Sequence, residues 1–502
     1  MSADVKLPKT LSESHALIEA QQEKIEHLNQ KYESLLEQIK LAKLRQFGRK
    51  SESHPEQCLL FDEAEQEATL EEEAPEDKEQ ITYERKKAKR KPLPENLPRE
   101  EIIVDIDESD KVCECGCAKK HIGEEVTEQL EVIPASVKVI ATVRPKYACN
   151  RCDNKVSIAP MPKHFMPKSM ATPSLVAHII TNKYCDHLPL YRQEQIWKRV
   201  GIELPRNTQA NWIIKAYDTC RPLRDVFIKT LFKSDYLQVD ETPFQVMNEP
   251  NRKNTSKSYL WVYHSLLPDK KLVLYDYKPT REGKWPQQHM QNFKGYLQTD
   301  GYGGYDWAKK KEDITQLGCW AHARRPFAEL VKIAKTTGKS HQAIAYIKKL
   351  YAIEKAAKTS NLNPIEVKAL RTEKAKPILD DLFKWVRKAL TTAVPESKLG
   401  KALKYIHERE NELSSYLEDG RLQIDNNTVE NKIRPFAIGR KNWMIAASTN
   451  GAEASSFFFS LINSSKENGL NPFDYLNYLF NHIKQCKTED DYMRLMPHIC
   501  KL

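Results

Sequence analysis

Residues 235–246 read DYLQVDETPFQV, and the way this stretch is read decides how the rest of the chain is parsed. Apolar side chains alternate with polar ones, so the segment is predicted to be a strand with Val239 and Asp240 at its centre. An ionised carboxylate loses its hydration in the middle of a core strand and needs a compensating partner. Asp240 therefore asks for a reason. Downstream, SYLWVYHSL (258–266) and KLVLYDYKP (271–279) read as a second and third strand, and KWPQQHMQNF (284–293) as a short helix. GYLQTDGYGGYD (295–306) then gives a fourth strand ending at Asp300, and ITQLGCW (314–320) a fifth.

Three strands, a helix and a further strand form the opening of a ribonuclease H-like domain. There the first three strands make an antiparallel meander and the fourth lies parallel beside the first, which brings Asp240 and Asp300 to one edge. Transfer at a DNA phosphodiester calls for an activated oxygen nucleophile and a stabilised leaving oxygen, and two divalent ions about 3.5–4 Å apart supply both. Magnesium takes carboxylate and water oxygens. The third carboxylate is Glu430, in IDNNTVENKIRPFAIGRKNWMIAAS (424–448). Asp425 or Asn426 can cap a helix there, with Glu430 in its early turns. Arg434 falls four positions on, placed to pair with Glu430 or approach a phosphate. Any one of these aspartates alone reads as a surface or turn residue. Two on predicted core strands do not.

Between Asp300 and Glu430 the chain is too long for one connection. ARRPFAELVKIAKTT, HQAIAYIKKLYAIEKAA, IEVKALRTEKAKPILDDLFKWVRKAL and KALKYIHERENELSSYL predict a helical insertion at about 322–420. Cys319 and His322 form C-x-x-H at its start. They read either as a half-buried thiol with a helix-capping histidine or as a pair beside the active site.

Upstream the chain changes character three times. Ile18, Ile25, Tyr32 and Ile39 recur every seven residues, with Leu28 and Leu35 three positions after two of them. Residues 1–50 are read as a self-associating coiled coil, or as one amphipathic helix on its own chain. Residues 51–98 are a charged linker: positions 62–79 hold ten acidic side chains and one lysine, and Arg85, Lys86, Lys87, Lys89, Arg90 and Lys91 follow. Such blocks stay solvated, and the basic run suits non-specific contact with phosphates. Residues 99–160 carry C-E-C-G-C (Cys113, Cys115, Cys117) and C-N-R-C (Cys149, Cys152). Zinc takes four tetrahedral ligands and thiolates suit it. Cys113, Cys115, Cys149 and Cys152 are the expected set, with Cys117 an alternative and free cysteines the competing reading. EQLEVIPASVKVIATVRPKYAC (128–149) predicts a hairpin turning near Pro134.

Residues 161–228 are read as helical. Thr172 and Pro173 look like an N-cap followed by proline at the first helical position. QEQIWKRVGIELPRNTQANWIIKAY (193–217) gives helix, turn at Gly201, and helix, the second capped by Asn207 or Thr208. Trp197, Val200, Ile202, Ala210 and Ile213 are expected between the two. Arg206, Asn207, Gln209 and Asn211 stand where a recognition helix reads base edges, an ordinary helical hairpin being the other reading.

With 502 residues the chain exceeds a single core, so several domains are expected. A net charge of +10 is compatible with nucleic acid without requiring it. No apolar run nears the ~20 residues of a membrane span. MSADVKLPKT lacks the pattern of an export signal, so the 11 cysteines are read as metal ligands and buried thiols in a cytoplasmic protein without membrane contact.

The motifs CECG…YACNRC, VDETPFQV, LQTDGYGGY, GCWAHARRPF, DNNTVENKIRPFAIGRKNWMIAAS and SLINSSKENGLNPFDYLNYLF together resemble the transposases of the bacterial insertion-sequence sixty-six family, in the DDE superfamily. The likeness covers nearly the whole chain. It implies a multidomain α+β protein: coiled coil, zinc-binding module, helix-turn-helix-like domain, a ribonuclease H-like catalytic domain at 229–448 with the helical insertion, and a helical tail at 449–502. It implies that Asp240, Asp300 and Glu430 are a catalytic triad holding Mg2+ (or Mn2+), with Zn2+ in the cysteine module. Element ends would be cut, and the freed 3′-hydroxyl joined to target DNA. It sets Cys319 and His322 beside the active site, where contact with the scissile phosphate is expected, with Arg434 as a further auxiliary residue. DNA, a second copy of the chain through the coiled coil, and companion proteins of the same element are the partners it suggests, in the bacterial cytoplasm at the nucleoid. C-E-C-G-C departs from the pattern by offering three thiols where two are needed. A DNA-binding regulator that kept the fold without activity, and a nuclease of the same fold that joins no ends, are the alternatives.

Overall fold

Two compact units, Ala74–Pro162 and Met1–Glu73 with Lys163–Leu502, make up the chain. The computed structural model describes residues 10–47, 137–147, 157–162, 164–334 and 337–501. In the first unit the described residues form a short antiparallel pair, β1 (Lys146–Tyr147) with β2 (Ser157–Ile158). This pair flanks the segment of Cys149 and Cys152. The expected hairpin about Pro134 is not what pairs: residues 137–145 carry no strand, and Tyr147 finds its partner in Ser157, beyond the C-N-R-C segment. Cys113, Cys115, Cys117, Cys149 and Cys152, Pro134 itself, and the charged linker all lie outside the described residues.

In the second unit α1 (Leu11–Phe47) is an unbroken helix of 37 residues. Ile18, Ile25, Leu28, Tyr32, Leu35 and Ile39 are each at least 50% exposed, so the seam is not packed into this chain. α2 (Pro173–Tyr184) starts as the sequence predicts, the Thr172 hydroxyl accepting from the Leu175 amide at 3.2 Å. α3 (Leu190–Arg199) and α4 (Arg206–Leu231) follow, separated by a turn in which Gly201 takes φ +79°. Trp197 and Ile213 are buried between helices, whereas Val200, expected there, is 56% exposed. The second helix is capped neither by Asn207 nor by Thr208. It begins after Pro205, whose extended backbone presents its carbonyl to the amides of Thr208 (3.0 Å) and Gln209 (3.2 Å).

The strand-forming sequence from 236 to 317 builds one mixed sheet of β3 (Tyr236–Phe244), β4 (Ser258–Ser265), β5 (Val273–Lys278), β6 (Gly295–Gln298) and β7 (Ile314–Leu317). The spatial order is β5-β4-β3-β6-β7. β3, β4 and β5 pair antiparallel; β6 lies parallel to β3 and β7 parallel to β6. Parallel neighbours need a crossover, and the segment holding α5 (Lys284–His289) makes the one from β5 to β6.

A helical block follows: α6 (Trp320–Ile333), α7 (Lys339–Thr359), α8 (Pro364–Leu370), α9 (Lys376–Leu390) and α10 (Lys398–Glu408), with a π-helical turn at Arg371–Ala375. It has its own core, including Trp320, Leu350, Leu379 and Leu403. Buried Arg371 ties this block to the next segment. Its guanidinium grips Glu354 (2.9 and 2.7 Å) and donates to the carbonyls of Tyr416 (2.8 Å), Asp419 (2.9 Å) and Leu422 (2.8 Å). The chain then returns to the sheet in α11 (Asn427–Trp443), α12 (Thr449–Glu467) and α13 (Pro472–His482). Phe436 of α11 meets Phe244 of β3 at 5.0 Å and Phe459 of α12 at 5.4 Å. Serines four apart on α12, Ser460 and Ser464, accept the outer amides of Tyr275 (2.8 Å) and Val273 (2.9 Å). They cover an edge strand that would otherwise offer its amides to another chain. Among the described residues, no helix is long and apolar enough to cross a membrane.

Candidate active site

Asp240 sits on the central strand. The Gln238–Gln298 pairing of β3 with β6 puts Asp300, two residues past Gln298, at the matching height on the neighbouring strand's end. Asp300 is fixed by its turn: its carboxylate accepts from the Tyr302 amide at 2.8 Å. Gly301 has φ +86°, and a Cβ there would come within 2.9 Å of both Arg409 and Tyr405. That close approach is used, since Tyr405 donates to the Asp300 carbonyl (2.9 Å) and Arg409 to that of Gly301 (3.1 Å). The helical block thus steadies one carboxylate loop. It steadies the other as well, because Tyr351 of α7 donates to Asp425 at 2.6 Å.

Glu430 occupies the first turn of α11, a helix start that is capped in an unusual way. The Asn426 side chain makes no capping bond; instead the Asp425 carboxylate accepts from the Asn427 amide (3.1 Å). Gln238, from β3, accepts the Val429 amide (3.0 Å) and donates to the Asp425 carbonyl (3.0 Å). Gln238 also donates to Gln298 (2.9 Å), which in turn donates to the carbonyls of Gly318 (3.1 Å) and Gln423 (2.9 Å). Both glutamines are fully buried. Each lies two residues before an aspartate, in Leu237-Gln238-Val239-Asp240 and Leu297-Gln298-Thr299-Asp300. One hydrogen-bonded pair therefore sets the spacing of two strands and a helix start, each of which carries one of the three carboxylates.

The electrostatics separate this group from ordinary buried acids. Asp276 of β5 is buried too, but a hydrogen bond from His289 (2.7 Å) and the charges of Lys278 and Arg224 outweigh the cost of burial and hold it down to about 2. Glu241, beside Asp240, is partnered by Arg281 (2.6 Å) and Tyr305 (2.6 Å), yet burial and the Asp300 charge still raise its carboxyl. Asp240 also departs upward. Burial, then the charges of Glu241, Asp300 and Glu430, push its carboxyl well above the usual range. Burial also lifts Glu430 to about 7, with Asp425 and Asp300 adding to the rise and Arg325 opposing it. The Glu430 Oε1 atom is buried without a hydrogen-bond partner. Crowded, desolvated carboxylate oxygens with one orphaned acceptor fit a hard divalent cation such as Mg2+ or Mn2+.

Cys319 caps the start of α6 and is buried. His322 brings Nδ1 to 3.3 Å from the Cys319 sulfur and 3.4 Å from Glu430 Oε1. Burial and then Arg325 press this imidazole down to about 4. Arg325, one turn on, lies 3.8 Å from Glu430 Oε2. Arg434 is half-buried one turn beyond Glu430 on α11. Asp425 caps this helix as one of the two candidates the sequence offered, whereas sequence reasoning overlooked Arg325 and the two glutamines; the repeated L-Q-x-D was the signal available for the last two.

On α4, Arg206, Asn207 and Asn211 are exposed, as a groove-reading set requires. Gln209 is not: it is fully buried, and its amide donates to the Leu204 carbonyl at 2.9 Å. Position 209 falls on the inner face of the helix, between Arg206 and Trp212, so it helps close the turn and is removed from that set.

The fold and site define a class, an α+β domain whose sheet and closing helix gather buried carboxylates beneath a helical block. Residues 168–454 match the model of the Transposase IS66 family. Residues 110–153 match the zinc-finger binding domain of transposase IS66, 34–102 the Transposase C of IS166 homeodomain, and 460–498 the IS66 C-terminal element. The chain belongs to the IS66 transposase family. Among its relatives are three uncharacterized proteins of Sinorhizobium fredii. It is 31% identical to y4jD (79% of each chain), 32% to y4qI (82% of this chain, 78% of the other) and 31% to y4hP (79% and 74%).

Proposed function

We propose that this transposase cuts the ends of its element and joins their 3′-hydroxyls to target DNA through Asp240, Asp300 and Glu430 in a ribonuclease H-like domain. The observation that carries this reading is that Asp240 and Glu430, from separate elements, are both raised by burial and by neighbouring carboxylates that include Asp300, whereas the partners of Asp276 hold that buried acid down. The sheet order, with a meander and a parallel fourth strand beside the first, supports the fold assignment. The divalent ions, when bound, polarise the attacking and leaving oxygens of the phosphodiester. Asp240, Asp300 and Glu430 would hold them. Gln238 and Gln298 keep the three carboxylates in register, and Arg325 offers a cation toward the scissile phosphate. Arg206, Asn207 and Asn211 read the element ends, the cysteine module binds Zn2+ through Cys113, Cys115, Cys149 and Cys152, and α1 pairs two chains across two ends.

The test is single-turnover cleavage of DNA carrying the element ends in magnesium. Asp240→Asn, Asp300→Asn and Glu430→Gln are each expected to lower the rate at least about a thousandfold with end binding retained, each removing ligand charge. Cleavage by Asp240→Asn at the parent rate would end the reading. Cut but unjoined products with target DNA present would favour a nuclease.

A further inference from the structure

We propose that Cys319, His322 and Glu430 form a binding site for a thiophilic divalent cation, Zn2+, distinct in chemistry from the carboxylate group and sharing Glu430 with it. The three side chains come from two elements, and their donor atoms lie within 4.8 Å of one another. His322 Nδ1 stands between the other two, 3.3 Å from the sulfur and 3.4 Å from Glu430 Oε1. Zinc bonds of about 2.3 Å to sulfur and about 2.0–2.2 Å to nitrogen and oxygen span, at the tetrahedral angle, about 3.3–3.6 Å between ligand atoms. The two separations from His322 Nδ1 fall in that range, and the sulfur and Oε1 lie within 4.8 Å of each other, so the ion would draw these two together.

Two further features suit a cation. Glu430 Oε1, the oxygen that faces His322, is buried without a hydrogen-bond partner. The Asn426 backbone amide points at the Cys319 sulfur from 3.4 Å; burial and the Asp425 and Glu430 charges otherwise keep this thiol protonated, so it is the ion's own charge that would make it a thiolate. On binding, Cys319–SH gives up its proton to solvent, sulfur donates a lone pair to the ion, and His322 and Glu430 each donate one more. Three protein ligands leave a zinc ion one open position. The alternative, a plain hydrogen-bonded cluster, leaves Oε1 unsatisfied.

Because Glu430 serves both groups, zinc here and magnesium at the carboxylates draw on one side chain. That consequence rests on the function proposed above; the existence of the zinc site does not. The full-length protein, equilibrated with Zn2+ and desalted, is analysed for zinc per chain. Cys319→Ser and His322→Ala should each hold one zinc fewer than the parent, and Asp240→Asn the same number. With Co2+ in place of Zn2+, the parent-minus-Cys319→Ser difference spectrum should show a sulfur-to-cobalt charge-transfer band. Equal zinc content in the parent and in both folded variants, with no such band, would overturn the site. If one variant does not fold, as judged by circular dichroism, the other decides. Loss of one zinc in these variants, in a parent that never cleaves DNA, would support the site and count only against the proposed function.

Discussion

In the folded chain Glu430 is 6% exposed, and burial with the neighbouring Asp425 and Asp300 charges lifts its carboxyl from an ordinary 4.5 to about 7. Between those two values the unfolded chain has already released the proton that the folded chain still holds. Stability contributed by the protonated group is therefore present below pH 4.5 and is lost as pH rises to about 7. The loss is on the order of 3 kcal/mol. Asp240, raised by burial and by Glu241, Asp300 and Glu430, acts in the same direction. Without added divalent cation, the melting temperature of Glu430→Gln relative to the parent should climb from pH 4.5 to about 7 and then level. Saturating Mg2+ should shrink the difference, since a ligand of the folded state offsets the charge. Thermal unfolding across that range checks it, and a difference independent of pH would mean that Glu430 titrates normally.

At the scale of elements, β3 and α11 behave as one piece. They are joined at the start by Gln238, which reaches the Asp425 carbonyl and the Val429 amide, and at the end by Arg440, which donates to the Pro243 carbonyl. Between these straps Phe244 packs on Phe436. Replacing Gln238 by methionine keeps the volume but orphans the Asp425 carbonyl and weakens the hold on Val429. Each buried polar group left unpaired costs about 1–3 kcal/mol. Gln238→Met should therefore lose about 2–4 kcal/mol of stability. Measured well below its melting point, it should also cleave DNA at least tenfold more slowly with end binding unchanged, because α11 is free to move Glu430 away from Asp240. Denaturant unfolding and single-turnover rates separate the two effects; a destabilised variant with the parent rate would show that the glutamine supports the fold alone.

At the scale of the whole molecule, α1 is a helix whose apolar seam is left uncovered among the described residues. Six seam residues at heptad spacing, each at least half exposed along one 37-residue helix, match the face that a second helix covers in a coiled coil. Removing residues 1–47 should reduce the stoichiometry seen by sedimentation and the assembly of paired ends, and leave the melting of the remaining chain nearly unchanged. A truncated protein of parental stoichiometry would place self-association elsewhere.

Strand and helix periodicity was readable in the linear chain because each is set by near neighbours. All five strands of the sheet, the Thr172 cap and the helices between Cys319 and Asp425 stand where the pattern puts them. The aspartates Asp240 and Asp300 were visible for a related reason: charge inside a strand pattern is locally conspicuous. Other features depended on packing. Gln209 and Asn211 are two residues apart and equally polar in sequence, yet only the turn of α4 against α3 decides that one closes a buried loop and the other meets solvent. Asp276 and Asp240 are both strand aspartates. A histidine hydrogen bond from α5 and cations from β5 and α4 quiet the first, while burial and carboxylates gathered from β3, β6 and α11 leave the second raised. The meeting of Cys319 and His322 with Glu430, more than a hundred residues later, has the same origin. A side chain's charge state is set by what lies within a few ångströms, and for these residues that surrounding is assembled by chain return rather than by local sequence.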